Sequence, residues 1–190
     1  MYLVFDTETT GLVDFRNPAV PAMQPHIVQL ALLLGNEFCT IFKLSMLIRP
    51  NGWVIPEKAS KVHGITTEMA ERFGLKIETA MGFFSAMCKR AELVVAHNYD
   101  FDAIMIAAET ARLGLDNPLA GMPSYCTMKR STEICKIPNP KYPGKFKWPK
   151  LEEAYEFFLN ETMEGAHDAM CDVEGTFDVF LAMKAAFPNA

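Results

Sequence analysis

The sequence predicts a mixed α/β fold in a single domain, five strands in one sheet flanked by helices. Two features of the pattern point to it. An apolar opening strand is followed by two apolar segments in a hairpin arrangement, and strand-length segments then alternate with helical ones. The third observation is bulk: half of the 190 residues are hydrophobic, enough to bury a substantial core with residues 1–190 forming one domain.

Tyr2 to Asp6 is a short buried strand, and Ile27 to Leu34 (I-V-Q-L-A-L-L-L) is a second, central one. Phe38 to Ile48 alternates in places and follows the turn-forming Gly35-Asn36, so it pairs with its predecessor. Between the first two strands, Asp14 to Gln24 carries Pro18, Pro21 and an Asn-Pro step and is loop; Pro50-Asn51-Gly52 marks a turn. Helical patterns cover Pro56 to Val62, Thr67 to Phe73 and Ile77 to Arg90. Glu92 to Ala96 is the fourth strand. Phe101 to Leu113 is a helix with its apolar face at Ile104, Ala107, Ala108 and Ala111. Ser124 to Thr127 forms the fifth strand and leads into a helix ending at Cys135. Ile137 to Pro149 holds four prolines and a glycine and is loop; helices follow at Leu151 to Leu159 and Asp168 to Phe187.

No apolar run approaches the roughly 18 to 20 residues that span a bilayer. The first motif begins at residue 6, so the expectation is a chain without a signal peptide. Its five cysteines are an odd set with no C-x-x-C pair, which argues against a disulfide framework or zinc site and suits the reducing cytoplasm. The net charge of −5 hides an uneven distribution: Lys129 to Lys150 contains seven basic residues and one acid, a local charge of +6.

The chemistry begins where the first strand ends, in Asp6-Thr7-Glu8. Residues i and i+2 of a strand point to one face, and two acids held side by side repel each other unless a cation lies between them. Asp6 and Glu8 are therefore half of a divalent-metal site. The fourth strand ends in His97-Asn98-Tyr99-Asp100-Phe101-Asp102, where ligands gather in open α/β sheets, so Asp100 or Asp102 could complete it. An ordinary helix start capped by Asn98 or Asp100 accounts for the same residues. Near the end comes Gly165-Ala166-His167-Asp168-Ala169-Met170-Cys171-Asp172. On one regular helix His167 and Asp172 would lie ~140° apart, so they converge only if His167 precedes the helix and Asp172 sits in its first turns. Asp168 is a suitable N-cap for that break, and a surface histidine beside a capping aspartate is the plain alternative.

Taken together, D-T-E-T-T-G-L at 6–12, H-I-V-Q-L-A at 26–31, V-H-G-I-T at 62–66, A-H-N-Y-D-F-D at 96–102 and H-D-A-M-C-D at 167–172 resemble the DnaQ-like, DEDDh-type 3′–5′ exonucleases, related to the proofreading epsilon subunit of DNA polymerase III. The resemblance implies a ribonuclease-H-like fold, with strand two antiparallel to the other four. It also implies a catalytic set of Asp6, Glu8, Asp102, His167 and Asp172, and so selects Asp102 over Asp100. The four acids would hold two divalent cations, Mg²⁺ or Mn²⁺, as hard oxygen ligands suit, and His167 would act as general base. Leu12 and the 62–66 stretch, with His63 and Ile65, look like the family's pocket for the terminal nucleotide. Asn98 and Phe101 would help to shape it, and the amides of Thr9 and Thr10 would approach the 3′-hydroxyl.

In Lys141-Tyr-Pro-Gly-Lys-Phe-Lys-Trp-Pro-Lys150, lysines alternate with rings, a combination suited to phosphates and unpaired bases; Lys145 and Lys147 are candidate contacts, although a solvated Pro-rich loop explains the run as well. The resulting expectation is a metal-dependent enzyme that releases nucleoside 5′-monophosphates from 3′ ends of DNA, with RNA as the alternative substrate. A non-catalytic nucleic-acid-binding module would be expected to lack one or more of the acids. A polymerase or repair partner docking on the surface is compatible with the sequence.

Overall fold

The computed structural model describes residues 1–165 and 168–187. Five strands form one sheet in the order β3-β2-β1-β4-β5: β1 (Tyr2–Thr9), β2 (Ile27–Gly35), β3 (Thr40–Leu47), β4 (Leu93–Ala96) and β5 (Ser124–Cys126). β2 is antiparallel to β1 and β3, whereas β4 is parallel to β1 and β5 to β4. The helices are α1 (Glu57–His63), α2 (Thr67–Phe73), α3 (Ile77–Cys88), α4 (Tyr99–Arg112), α5 (Thr127–Cys135), α6 (Leu151–Leu159) and α7 (Ala169–Ala186). This is the mixed five-stranded, ribonuclease-H-like arrangement that the motifs implied. Among the described residues no helix is long and apolar enough to cross a membrane.

The alternation of β1 divides the molecule into two layers. Leu3 and Phe5 pack with Met81, Phe84, Met105 and Ile106 of α3 and α4, while Val4 joins Val173, Phe177 and Phe180 of α7 and Ala154 of α6. Both faces of the central strands are covered, which is why β2 is buried along its whole length, with Gln29 its one polar side chain, and β4 is apolar rather than alternating. A third, smaller cluster (Val28, Ile55, Ala59, Ile65, Ala70) seats α1 and α2. Their excursion is tied back where Leu75 donates to the Leu47 carbonyl and Arg49 to that of Leu75, both at 2.8 Å. The approach is so close that a Cβ on Gly74 would lie 2.5 Å from the Arg49 nitrogen.

Two sequence expectations need revision. β1 continues three residues beyond Asp6, so both acids lie within the strand, and its register with β2 shifts only between Glu8 and Thr9. α4 begins at Tyr99, not Phe101, and its buried residues are Asp102, Met105, Ile106, Ala108, Glu109 and Thr110; of the expected apolar face, Ala108 is buried and Ile104 packs partly buried against the core, while Ala107 and Ala111 are not buried. The cause is that polar groups on this face are satisfied internally. Glu109 accepts from Arg112 at 2.8 Å and from the Ile27 amide at 3.1 Å, and Thr110 returns its hydroxyl proton to the Ile106 carbonyl. Ile104 and Ala107 instead line a shallow cavity with Phe15 and Pro18.

Candidate active site

Asp6 and Glu8 project from β1 toward the layer that contains α7, and α7 delivers Asp172 in its first turn. Carboxylate oxygens of Asp6, Glu8 and Asp172 all lie within 4.8 Å of one another. Asp172 is placed there by its helix cap: the Asp168 side chain accepts from the amides of Met170 and Cys171 at 3.0 and 3.1 Å, as expected of an N-cap. His167 lies outside the described residues.

Asp102 arrives from the opposite layer. It is buried in the first turn of α4, and one of its oxygens accepts from both the amide (3.1 Å) and the hydroxyl (2.7 Å) of Thr7. Thr7 stands between the two acids of β1 and points the other way, so one strand presents Asp6 and Glu8 on one face and anchors Asp102 from the other. Its role escaped sequence reading because a threonine in a strand is ordinary; the signal was its place between two co-facial acids.

The electrostatics of this group favour a cation. Burial raises the Asp6 pKa well above the usual carboxylate range, and the charges of Asp102, Asp172 and Glu8 raise it further. Glu8 is pushed up to about 7, chiefly by burial and then by Asp172 and Asp168. Asp102 also rises to about 7 through burial, against the opposing pull of the Thr7 hydrogen bonds. Bare, these acids would partly protonate near neutrality; a hard divalent cation would favour their charged forms and matches an all-oxygen donor set. The residues present therefore fit such a cation. Asp100 is not part of the group: it faces outward in an ion pair with Lys129.

Beside Glu8 opens a cavity of about 550 Å³, whose lining includes Thr9, Thr10, Leu12, His63 and Phe101 of the candidate binding residues. Leu12 is 90% exposed, an apolar side chain standing at the rim with nothing packed over it. Thr10 is fixed in place by a reciprocal pair of bonds, its amide to the His26 carbonyl and the His26 amide to its hydroxyl, each 2.9 Å. His63 accepts from the Ile65 amide at Nδ1, which leaves the proton of a neutral ring on Nε2. Among the described residues that buried Nε2 has no hydrogen-bond partner, and burial lowers the ring's pKa, opposed by the nearby Thr9 backbone.

The other candidates lie elsewhere. Ile65 is buried in the small core cluster under α1 and α2. Asn98 is the N-terminal boundary residue of α4, in the left-handed conformation (φ 70°) and without a side-chain cap. In the basic loop, Lys147 is paired with Glu153 at 2.5 Å and the Lys145 ammonium sits 5.9 Å from the Tyr142 ring centre. The loop is joined to the end of β4 by His97, whose Nε2 lies 3.0 Å from the Pro149 carbonyl and whose Nδ1 lies 2.9 Å from the Thr127 hydroxyl. Lys58, Pro56 and Val62 also line the cavity, and sequence reading did not single them out.

Residues 3–180 match the RNase_T family model, described as exonuclease. A phage relative, an uncharacterized exonuclease CP81 of Escherichia phage 186, is 27% identical over 188 residues, covering 95% of this chain and 87% of that protein. Among solved structures, E. coli exonuclease I in complex with a dT13 oligonucleotide superposes with a TM-score of 0.78 at 20% identity, over 98% of this chain and 41% of the other. Exonuclease I from Methylocaldum szegediense gives 0.75 at 20% identity, over 99% and 41%. The zinc-bound E. coli exonuclease I–ssDNA complex gives 0.75 at 19% identity, again over 99% and 41%. The chain thus spans about two fifths of the length of those exonuclease I chains, and their likeness is one of fold. With the family model covering nearly the whole sequence, the chain belongs to the DnaQ-like 3′–5′ exonuclease family.

Proposed function

We propose that this protein is a metal-dependent exonuclease of the DEDDh type that shortens DNA from 3′ ends, single-stranded or frayed, and releases nucleoside 5′-monophosphates. The observation that carries this reading is the convergence of Asp6, Glu8 and Asp172 oxygens within 4.8 Å beside the cavity. Asp6, Glu8 and Asp172 would hold one divalent cation, and Asp6 with Asp102 a second; such ions, Mg²⁺ or Mn²⁺, supply charge neutralisation and a lowered pKa for bound water. The chain's own groups do the rest. Thr7 holds Asp102 in its rotamer, Asp168 starts α7 so that Asp172 faces β1, and His167, by its motif, accepts the proton of the attacking water. The terminal nucleotide would enter the cavity with its base against Leu12 and Phe101 and its 3′-hydroxyl toward Thr9 and Thr10.

DNA is favoured because the exonuclease I structures that share this fold are bound to dA16, dT13 and other single-stranded DNA. We further propose that the chain acts as one exonuclease domain. The test is digestion of 5′-labelled DNA and RNA strands with Mg²⁺ or Mn²⁺, each compared with EDTA. A ladder shrinking from the 3′ end, faster on DNA and absent in EDTA, is the expected result; cleavage that persists in EDTA contradicts it.

A further inference from the structure

On the nucleic-acid reading the cavity must admit a polyanion, yet Glu8 lines it and belongs to a cluster with Asp6 and Asp172. Among its described lining residues, Lys58 is the one with a permanent positive charge. It lies on α1 one turn before Val62, on the face that also turns Ala59 and His63 to the cavity, so its alkyl stem crosses an apolar rim before the ammonium reaches solvent. Its charge is uncommitted: among the described residues Lys58 makes neither a hydrogen bond nor an ion pair. Its neighbour Lys61 is bound to Glu57 at 2.6 Å, Lys129 to Asp100 and Lys147 to Glu153, each at 2.5 Å. A lysine ammonium is a compact, strongly hydrated charge that prefers an anion to a base edge.

We infer that Lys58 binds a backbone phosphate of the strand whose 3′ end occupies the cavity, a contact that rests on the nucleic-acid reading of the site. It sets affinity and its salt dependence and leaves the chemical step to the acids. The dense basic run of the chain lies at 129–150, but the strand-facing cation is a single residue in a segment of mixed charge.

The experiment is binding of a 5′-fluorescein dT oligonucleotide, followed by anisotropy with Ca²⁺ replacing Mg²⁺, over K⁺ from about 50 to 200 mM. Lys58→Gln should weaken binding about fivefold at the lowest salt, a rim-charge effect of about 1 kcal/mol. It should also make the slope of log K against log salt shallower by about 0.7, the value for one phosphate contact on a single strand. Lys58→Arg should restore the slope, and Lys61→Gln, on the same helix but paired with Glu57, should keep the wild-type slope. A wild-type slope in Lys58→Gln overturns the inference, whether affinity changes or not, because loss of a base contact leaves the salt slope in place. The wild-type digestion assay is separate: strand binding with the Lys58 slope change but without hydrolysis breaks the exonuclease reading and leaves the contact standing.

Discussion

Two loops of the molecule, one before β2 and one before α6, are built on different principles. The segment between β1 and β2 is short of charge but densely bonded. Arg112 donates to the carbonyls of Pro21, Gln24 and Pro25 at 2.6, 2.6 and 3.0 Å, and Gln24 exchanges bonds with Asp14 and reaches Asn17. Glu109 holds Arg112 and His26, and the His26 ring stacks on Trp53 with centroids 4.9 Å apart. The segment between α5 and α6 is rich in charge and rings, with Tyr142 and Trp148 each more than 60% exposed. Its backbone is closed mostly on itself, by Lys147 N–H to the Ile137 carbonyl and Asn139 N–H to that of Lys145, both 2.9 Å, and by the amides of Lys141 and Tyr142 to the Asn139 side chain. The comparison teaches that the conspicuous charge run and the wall of the cavity are different parts of the molecule. The first loop supplies Thr10 and Leu12 to the cavity; the second supplies none of its described lining.

The largest effect separates both loops from the acids they serve. Asp6→Ala should abolish hydrolysis to the assay limit while far-ultraviolet circular dichroism stays that of the wild type. His167→Ala should lower kcat by about 10²- to 10⁴-fold, the usual worth of a general base. Full activity in His167→Ala would remove that assignment.

Next comes the clamp. Arg112→Ala removes the cation beside buried Glu109 and the donor shared by the Pro21, Gln24 and Pro25 carbonyls, and should cost about 3 kcal/mol in urea unfolding, with a raised KM as the loop around Thr10 loosens. Equal stability of variant and wild type would show that the loop is held by other contacts.

The acids also predict a pH effect on the metal-free protein. Glu8 and Asp102 titrate near 7 when folded but near 4 when unfolded, so between these values the folded state binds more protons than the unfolded one. Stability in EDTA should therefore fall as pH rises through this window, by on the order of 5 °C in Tm between pH 5 and pH 8. Saturating Mn²⁺ should restore it at pH 8. A Tm in EDTA that climbs over the same range contradicts the burial of these groups as acids.

The smallest effect is expected in the second loop. Lys145→Gln with Lys147→Gln should raise KM modestly and flatten the salt dependence by less than the ~1.4 of two full phosphate contacts, because Glu153 already shares Lys147. A full change of that size would make this loop, not the α1 face, the principal strand contact.

How much of this was legible follows from where the information sits. The hairpin, the alternation and most element bounds were readable because apolar periodicity is local; α2 and α6 match residue for residue. The phase of α4 was not, because two of the three partners that let Glu109 be buried, the Ile27 amide and His26, lie more than 80 residues away in sequence, and its pairing with Arg112 looks locally like an ordinary surface i,i+3 pair. The same holds for Ile65, which lies in the motif of the terminal-nucleotide pocket yet packs against Val28 and Ala70. At the acids, strand periodicity and helix capping carry direction as well as position: Asp6 and Glu8 share a face of β1, and Asp168 starts the helix that presents Asp172. Lys58 was missed since nothing in Pro56-Glu57-Lys58-Ala59 distinguishes a cavity-lining lysine from a solvent one.

The central claim, that these acids direct hydrolysis from a 3′ end, is tested most directly by identifying the first product released. With a single-stranded DNA oligonucleotide of defined 3′-terminal base and Mg²⁺, mass spectrometry should find that base as its nucleoside 5′-monophosphate, and Asp6→Ala should release none. Release of a nucleoside 3′-monophosphate, or of the 5′-terminal base first, would contradict the account.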